Sequence, residues 1–188
     1  MRALVVYESM FGNTAAVADA IRMGLETWPD VTAELLEVGQ APHEIDDTVD
    51  VIVIGGPTHT FGMSRPETRD SAKDERPEPV ISAGNGIREW IAAVTAPAGV
   101  LFATFATKIR GPFPGSAGKS AAHDLSQRGW KQLVPPENFR VLGKVGPLVD
   151  DEERRAFEWG RTVGAAAAAE LAPAPTPHEP LPVTRALS

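Results

Sequence analysis

Ala3-Leu4-Val5-Val6-Tyr7-Glu8-Ser9-Met10-Phe11-Gly12-Asn13-Thr14, with Ala15 to Trp28 behind it, is the stretch that decides the fold. Residues 3–7 are apolar or aromatic without alternation, the habit of a strand buried on both faces of a parallel sheet. Hydroxyl, Gly and Asn residues then break the run. After them Val17, Ala20, Ile21, Gly24, Leu25 and Trp28 recur at helical spacing, so one apolar stripe faces the sheet. The unit reads as strand, tight loop, helix.

The first backbone N–H groups of a helix lack intrahelical partners and lie at the positive end of its dipole, where an anion fits. Ser9 and Thr14 offer hydroxyls, Gly12 lets the backbone approach closely, and Asn13 suits the cap position. A phosphate monoester could sit there. A plainly capped helix accounts for the same residues equally well.

From this unit the rest of the chain follows. Val31 to Val38 mixes apolar and acidic residues and predicts an edge strand, and Pro42 allows at most a turn or two of helix between Gly39 and Asp50. Val49 and Val51 to Ile54 run into Gly55-Gly56-Pro57 as a second buried strand. Arg65 to Pro79 is charged, carries three prolines and has no clean period, which predicts a long surface excursion without helix. Arg65, Arg69, Lys73 and Arg76 are there balanced by Glu67, Asp70, Asp74, Glu75 and Glu78, a mixture that fits a hydrated lid, a docking strip or a plain loop. Ile87, Trp90, Ile91 and Val94 share a helical face, with Trp90 read as core.

Val100 to Phe105 is the third continuous apolar strand, and a loop from Ala106 to Ser116 follows it. A helix is expected over Ala117 to Trp130 and a second edge strand around Phe139, Val141 and Val145. Asp150 with Glu153 predicts a capping box for a last helix, whose stripe of Ala156, Gly160, Gly164 and Ala167 would pack closely on the sheet. One domain over residues 1–171 is the expectation, with the Pro-rich segment 172–188 as a disordered tail.

Buried strands at positions one, three and four with mixed strands at two and five agree with a doubly wound parallel sheet of order 2-1-3-4-5. That order puts a switch point between strands one and three, where ligands of open α/β sheets bind. The loops 9–14 and 57–64 both end there. Bulk properties narrow the chemistry. A formal net charge of −7 argues against nonspecific nucleic-acid binding, no apolar run approaches a membrane span, and the absence of cysteine removes disulfides and thiolate chemistry. Strand character from Ala3 leaves no room for a signal peptide, so a cytoplasmic location is expected. His43, His59, His123 and His178 have no metal-site spacing.

Three alternatives fail on particular residues. A receiver domain needs acids where the third strand ends in Gly55-Gly56-Pro57. Gly118-Lys119-Ser120 lacks a P-loop's first glycine, since Phe113 holds that position, and only Gly12 stands where a Gly-x-Gly-x-x-Gly fingerprint would be.

With Ser9 to Thr14 after strand one and Gly55-Gly56-Pro57-Thr58-His59-Thr60-Phe61-Gly62 after strand three, residues 3–171 resemble the flavodoxin family. The second loop is also similar to that of flavodoxin-fold NAD(P)H:quinone oxidoreductases. The resemblance implies a flavodoxin-like three-layer α/β fold with a five-stranded parallel sheet, and FMN as cofactor. By position, Ser9, Met10, Phe11, Gly12, Asn13 and Thr14 would wrap the phosphate, Pro57, Thr58, His59, Thr60, Phe61 and Gly62 would line ribityl and ring, and Thr104, Phe105, Ala106 and Thr107 would cover the ring's other side.

The chain departs from the family where Phe11 replaces a hydroxyl residue, and where His59, Phe61 and Phe105 stand in place of a Trp and Tyr pair. Its only tyrosine, Tyr7, lies within strand one. Nine carboxylates fall between Asp19 and Asp50 against Arg22 alone, whereas Phe105 to Ser120 carries Lys108, Arg110 and Lys119 with no acid. Lys108 or Arg110 is therefore expected near the flavin or its entrance, and a solvated basic loop explains either residue as well. The resemblance implies an electron-transfer protein serving a redox partner protein or small electron acceptor. An NAD(P)H-dependent quinone-type oxidoreductase, or a fold that has lost FMN and binds partners, are the competing readings.

Overall fold

A computed structural model describes residues 1–75 and 77–172; the expected tail beyond Ala172 and Arg76 lie outside the described residues. The chain runs β1 (Arg2–Tyr7), α1 (Asn13–Leu25), β2 (Thr32–Glu37), β3 (Val51–Pro57), α2 (Pro66–Lys73), α3 (Ile87–Ala93), β4 (Leu101–Ile109), α4 (Ala117–Gln127), β5 (Lys131–Gln132), β6 (Glu137–Val141) and α5 (Glu152–Leu171). All strand pairs are parallel, and the order is β2-β1-β3-β4-β5, with β6 also pairing β4. This is the expected doubly wound order, with its fifth place shared by two pieces.

The division of the fifth place has a chemical cause. Lys131 and Gln132 pair with Leu101 and Phe102, and Glu137 to Val141 pair with Phe105 to Ile109. Pro135 and Pro136 between them have no N–H to offer the ladder, so the strand breaks there. Val145, expected in this strand, lies beyond it in the turn before Leu148.

Alternation along the buried strands sends residues to two cores. Leu4, Val6, Ile52, Ile54 and Phe102 pack with Trp90 and Ile91 of α3 and with Ala121 and Leu125 of α4. On the other face Val5, Val53, Ala103 and Phe105 pack with Val17 and Ile21 of α1 and with Ala156 and Val163 of α5. Phe105, Phe139 and Trp159 meet edge to face at 6.2–6.3 Å between ring centroids. The small residues of α5 serve both neighbours: Ala156 and Ala167 join the sheet's core, whereas the glycines let α5 approach α1, since a Cβ at Gly160 would lie 2.3 Å from Ile21 O and one at Gly24 of α1 would lie 2.1 Å from Phe157 O. Among the described residues no helix is long and apolar enough to cross a membrane.

Residues 39–50 form turns without helix, within the limit expected of Pro42, and Ala41, Ile45 and Val49 supply core contacts. Three local expectations are corrected. The segment 65–79 contains α2, entered through Pro66 at its first turn, where its missing N–H costs nothing. Gly12, at φ 93°, is the N-cap of α1 and Asn13 is its first helical residue. Asp151, at φ 68° with no side-chain cap bond, precedes α5, so the capping box is absent; Glu152 instead accepts from Arg140 N–H at 2.9 Å.

Candidate functional site

The carboxyl ends of β1, β3 and β4 open on a cavity of about 350 Å³. Its floor comes from the first loop. Ser9 is buried, and its Oγ accepts from Gly12 N–H at 3.1 Å and from Ala15 N–H at 3.4 Å, so the hydroxyl closes the loop internally. Among the described residues no acceptor meets the backbone N–H groups of Met10, Phe11, Asn13 and Thr14. Phe11, Asn13 and Thr14 line the cavity. Asn13 Nδ2 donates to Val145 O at 2.8 Å, and the Thr14 hydroxyl bonds that of Thr107 at 2.7 Å, tying this floor to β4 and to the turn after β6.

Pro57, Thr58, His59 and Thr60 form the next wall. His59 and Gly62 exchange N–H to O bonds of 2.9 and 3.0 Å around Thr60 and Phe61, whose φ values of 40° and 77° define a tight turn. Phe61 sits on its tip, 61% exposed, outside the cavity. Thr58 Oγ1 accepts from Ala117 N–H at 3.2 Å and fixes the turn to α4. Burial holds the His59 imidazole below its usual value, the Arg69 charge adds to this, and a hydrogen bond with the Thr68 backbone opposes it. The ring is therefore neutral at pH 7.

The third group departs most from expectation. β4 runs on to Ile109, because β3 pairs with it as far as Thr107 and β6 supports Phe105 to Ile109 from the other side. Thr104, Phe105 and Ala106 are consequently inside the sheet and fully buried. Thr104 Oγ1 donates to Gly118 O at 2.9 Å, and Phe105 belongs to the aromatic core. Thr107, Lys108 and Ile109 reach the cavity in their place, joined by Val141. Lys108 Nζ donates to Phe113 O and, at 2.7 Å, to Gly115 O, so this ammonium staples its own loop. Burial lowers its pKa, with the Arg140 and Lys119 charges adding to that. Arg110 is exposed and does not line the cavity.

The excursion supplies a wall that sequence reading missed: Thr68, Ser71, Ala72 and Glu75 of α2 and its end face the cavity. Arg69 anchors it. The guanidinium is 4% exposed and donates to Ser64 Oγ at 2.8 Å, with Glu89 Oε2 at 3.2 Å. Glu8, wholly buried at the end of β1, accepts from Ile87 N–H at 3.0 Å, and among the described residues its Oε1 has no partner. Burial raises the Glu8 pKa, against hydrogen bonds from Ser64 and Ile87 and the Arg69 charge. A Cβ at Gly86 would lie 2.5 Å from Glu8 Oε2, 2.6 Å from Arg69 Nη1 and 2.7 Å from Ser64 Oγ, so the cluster converges where only glycine fits.

The returning chain then crosses the first loop. Ile81 N–H donates to Met10 O at 3.1 Å and Ser82 N–H to Ser9 O at 2.9 Å; Ser82 Oγ accepts from Ser9 N–H at 2.9 Å and donates to Glu37 at 2.6 Å. Met10 is buried against Ala72 and Val80, not turned to the cavity. Lys144 and Glu75 form an ion pair of 2.6 Å at the rim. The sequence signals for α2 were Pro66 at its start, Glu67 in its first turn and the inward spacing of Arg69 and Ala72.

No family model and no curated protein matches the chain. Solved structures do. Oxidised flavodoxin 1 from Bacillus cereus superposes with a TM-score of 0.64 at 18% identity, over 92% of this chain and 100% of that one. A flavodoxin from the domain Archaea gives 0.60 at 21% identity, over 89% and 99%. A short-chain flavodoxin associated with a non-canonical PDU bacterial microcompartment gives 0.60 at 16%, again over 89% and 99%. At these identities the likeness establishes the flavodoxin-like fold.

Proposed function

We propose that this chain of flavodoxin-like fold holds FMN in the cavity at the switch point and works as an electron-transfer protein. The observation that carries this reading is the set of backbone N–H groups at Met10, Phe11, Asn13 and Thr14, left without acceptors among the described residues at the start of α1. Such a set, at the positive end of a helix dipole, suits a doubly charged phosphate ester. Gly12, at φ 93°, allows the chain to turn there without a side chain.

FMN, when bound, supplies reversible acceptance of one or two electrons. The remaining work belongs to the protein. The loop amides would hold the phosphate, and the Thr14 and Thr107 hydroxyl pair would fix the distance from this cradle to β4. Pro57, Ile109 and Val141 give the cavity apolar walls that exclude water. Neutral His59 offers one ring N–H as donor and one ring nitrogen as acceptor. The partner in this reading is a redox protein or small electron acceptor.

A second reading, an NAD(P)H-dependent quinone-type oxidoreductase, is favoured by one observation: a cationic pocket shares His59 and Thr60 with the cavity, where a charged small substrate could be held.

Titration of the full chain with FMN and with riboflavin, followed by flavin fluorescence, tests the cofactor. FMN is expected to bind at one equivalent, and riboflavin roughly tenfold or more weaker, the phosphate supplying at least about 1.4 kcal/mol. Equal affinities, or no binding, would overturn the reading. Mixing the FMN form with NADPH then separates the functions, since fast reduction without an added reductase means an oxidoreductase.

A further inference from the structure

We infer that the pocket on the far side of the His59–Gly62 turn is a receptor for a phosphoryl oxyanion carried by a soluble electron donor or acceptor. The inference deepens the oxidoreductase reading and rests on it for the purpose of the site, though not for its existence. The pocket has a volume of about 250 Å³ and shares His59, Thr60 and Thr68 with the larger cavity. An anion held here would bring the rest of its molecule across the turn to the proposed flavin.

Its charge is one-sided. Arg65 and Arg88 line it, and among the described residues no carboxylate does. Among the described residues neither guanidinium has an ion pair, whereas Arg69 close by is matched with Glu89. The chain as a whole is acidic, so this cationic surface runs against its net charge of −7. The adjoining hollow, which Arg88 and Ser120 also line, carries Lys119 and Asp124 together, so the one-sided charge belongs to the pocket itself.

The receptor is also rigid. Arg88 Nε donates to Ser64 O at 3.0 Å and Nη2 to Met63 O at 2.9 Å, which fixes the plane of the guanidinium and, among the described residues, leaves Nη1 without a partner. A cation held in one plane in advance, with one amino group still to donate, meets a phosphate oxygen with little ordering cost. Space is kept by Gly62: a Cβ there would stand 3.3 Å from Ser120 Oγ and 3.9 Å from Arg88 Nη2. Lys108, the other cation near the cavity, is occupied by Phe113 O and Gly115 O. The chemistry that fits is a phosphate or diphosphate group on a small molecule, such as the diphosphate bridge of a nicotinamide dinucleotide.

The test is calorimetric titration of the full chain, saturated with FMN, with inorganic pyrophosphate and in parallel with orthophosphate. One equivalent of pyrophosphate is expected to bind. Arg88→Gln is expected to weaken it about tenfold or more, the loss of one charge-assisted contact. Arg65 is exposed and makes no side-chain bond among the described residues, so Arg65→Gln provides a variant that folds even if Arg88→Gln does not, and it too should weaken pyrophosphate. Tighter binding of pyrophosphate than of orthophosphate identifies a diphosphate as the natural group, and the reverse identifies a monophosphate ester. Equal affinity in parent and variants, or pyrophosphate that binds only by displacing FMN, would overturn the inference. If FMN itself does not bind, the same titration on the protein as purified still decides the pocket by the two arginine variants, so the two readings fail separately.

Discussion

The loop at 9–14 and the excursion at 65–82 border the same cavity, yet different physics holds each in place. The loop is local: Gly12 turns it, Ser9 Oγ ties its own Gly12 and Ala15 amides, and α1 begins from it. The excursion is held from a distance, through Arg69 among Glu8, Ser64 and Glu89, and through Ile81 and Ser82 laid across Met10 and Ser9. A site built from one wall that folds on its neighbours and another that folds on a buried charge should lose them under different insults.

The largest effect is expected where the excursion is anchored. Arg69→Leu breaks the ion pair with Glu89 and the bond to Ser64, and takes a nearby positive charge from buried Glu8, a change that costs about 3–5 kcal/mol in comparable buried sites. Urea denaturation should show it, and limited proteolysis should open residues 65–82 while sparing α1. The deficit also has a pH sign. Burial raises the Glu8 pKa above 4.5, so the native state favours the protonated carboxyl; that contribution is complete below 4.5 and is lost as pH rises through the folded value. Loss of Arg69 raises it further, so the variant should fall behind the parent increasingly as pH rises past the parent's folded value. A variant within about 1 kcal/mol of the parent at pH 7 would mean that Arg69 anchors nothing.

The same contrast explains what was legible in the sequence. Continuous apolar runs marked β1, β3 and β4, since strands buried on both faces need no partner to be recognised. The first loop was legible because glycine and hydroxyl residues act on their own neighbours. The end of β4 was not, because its apolar run stops at Phe105 while β3 and β6 extend the ladder to Ile109, which moved Thr104, Phe105 and Ala106 from the expected ring-covering loop into the core. α2 was hidden for a related reason. Its inward residues are Arg69 and Ala72, and an arginine is read as solvated unless its partners are known. Its ion-pair partner, Glu89, lies far along the chain.

A smaller loss is expected when the local wall is attacked. Nothing lies within 4 Å of a Cβ at Gly12, so Gly12→Ala meets no neighbour and carries only the strain of φ 93°. That is worth about 1–2 kcal/mol, or a fall in Tm of about 2–8 °C. The excursion should keep its protease resistance, because Ile81 and Ser82 bind the loop through Met10 O, Ser9 O and Ser9 N–H, which precede the altered turn. A Gly12→Ala protein that loses the excursion as readily as Arg69→Leu would erase the distinction between the two walls.

The smallest effect should come from the ion pair that joins the excursion to the turn after β6. Lys144 and Glu75 meet at 2.6 Å, but their side chains are 71% and 35% exposed. Water and salt screen such a pair, and holding two long side chains together offsets part of the attraction, which leaves at most about 1 kcal/mol. Lys144→Ala should therefore lower stability by no more than that, and the difference should vanish in 1 M salt, where the screening length is about 3 Å. The reasoning is the reverse of that for Arg69: there removal takes a partner from groups that water does not reach, whereas here water replaces the lost partner. Should Lys144→Ala free residues 65–82 for proteolysis as Arg69→Leu is expected to, the excursion would be held at its rim and not at its root.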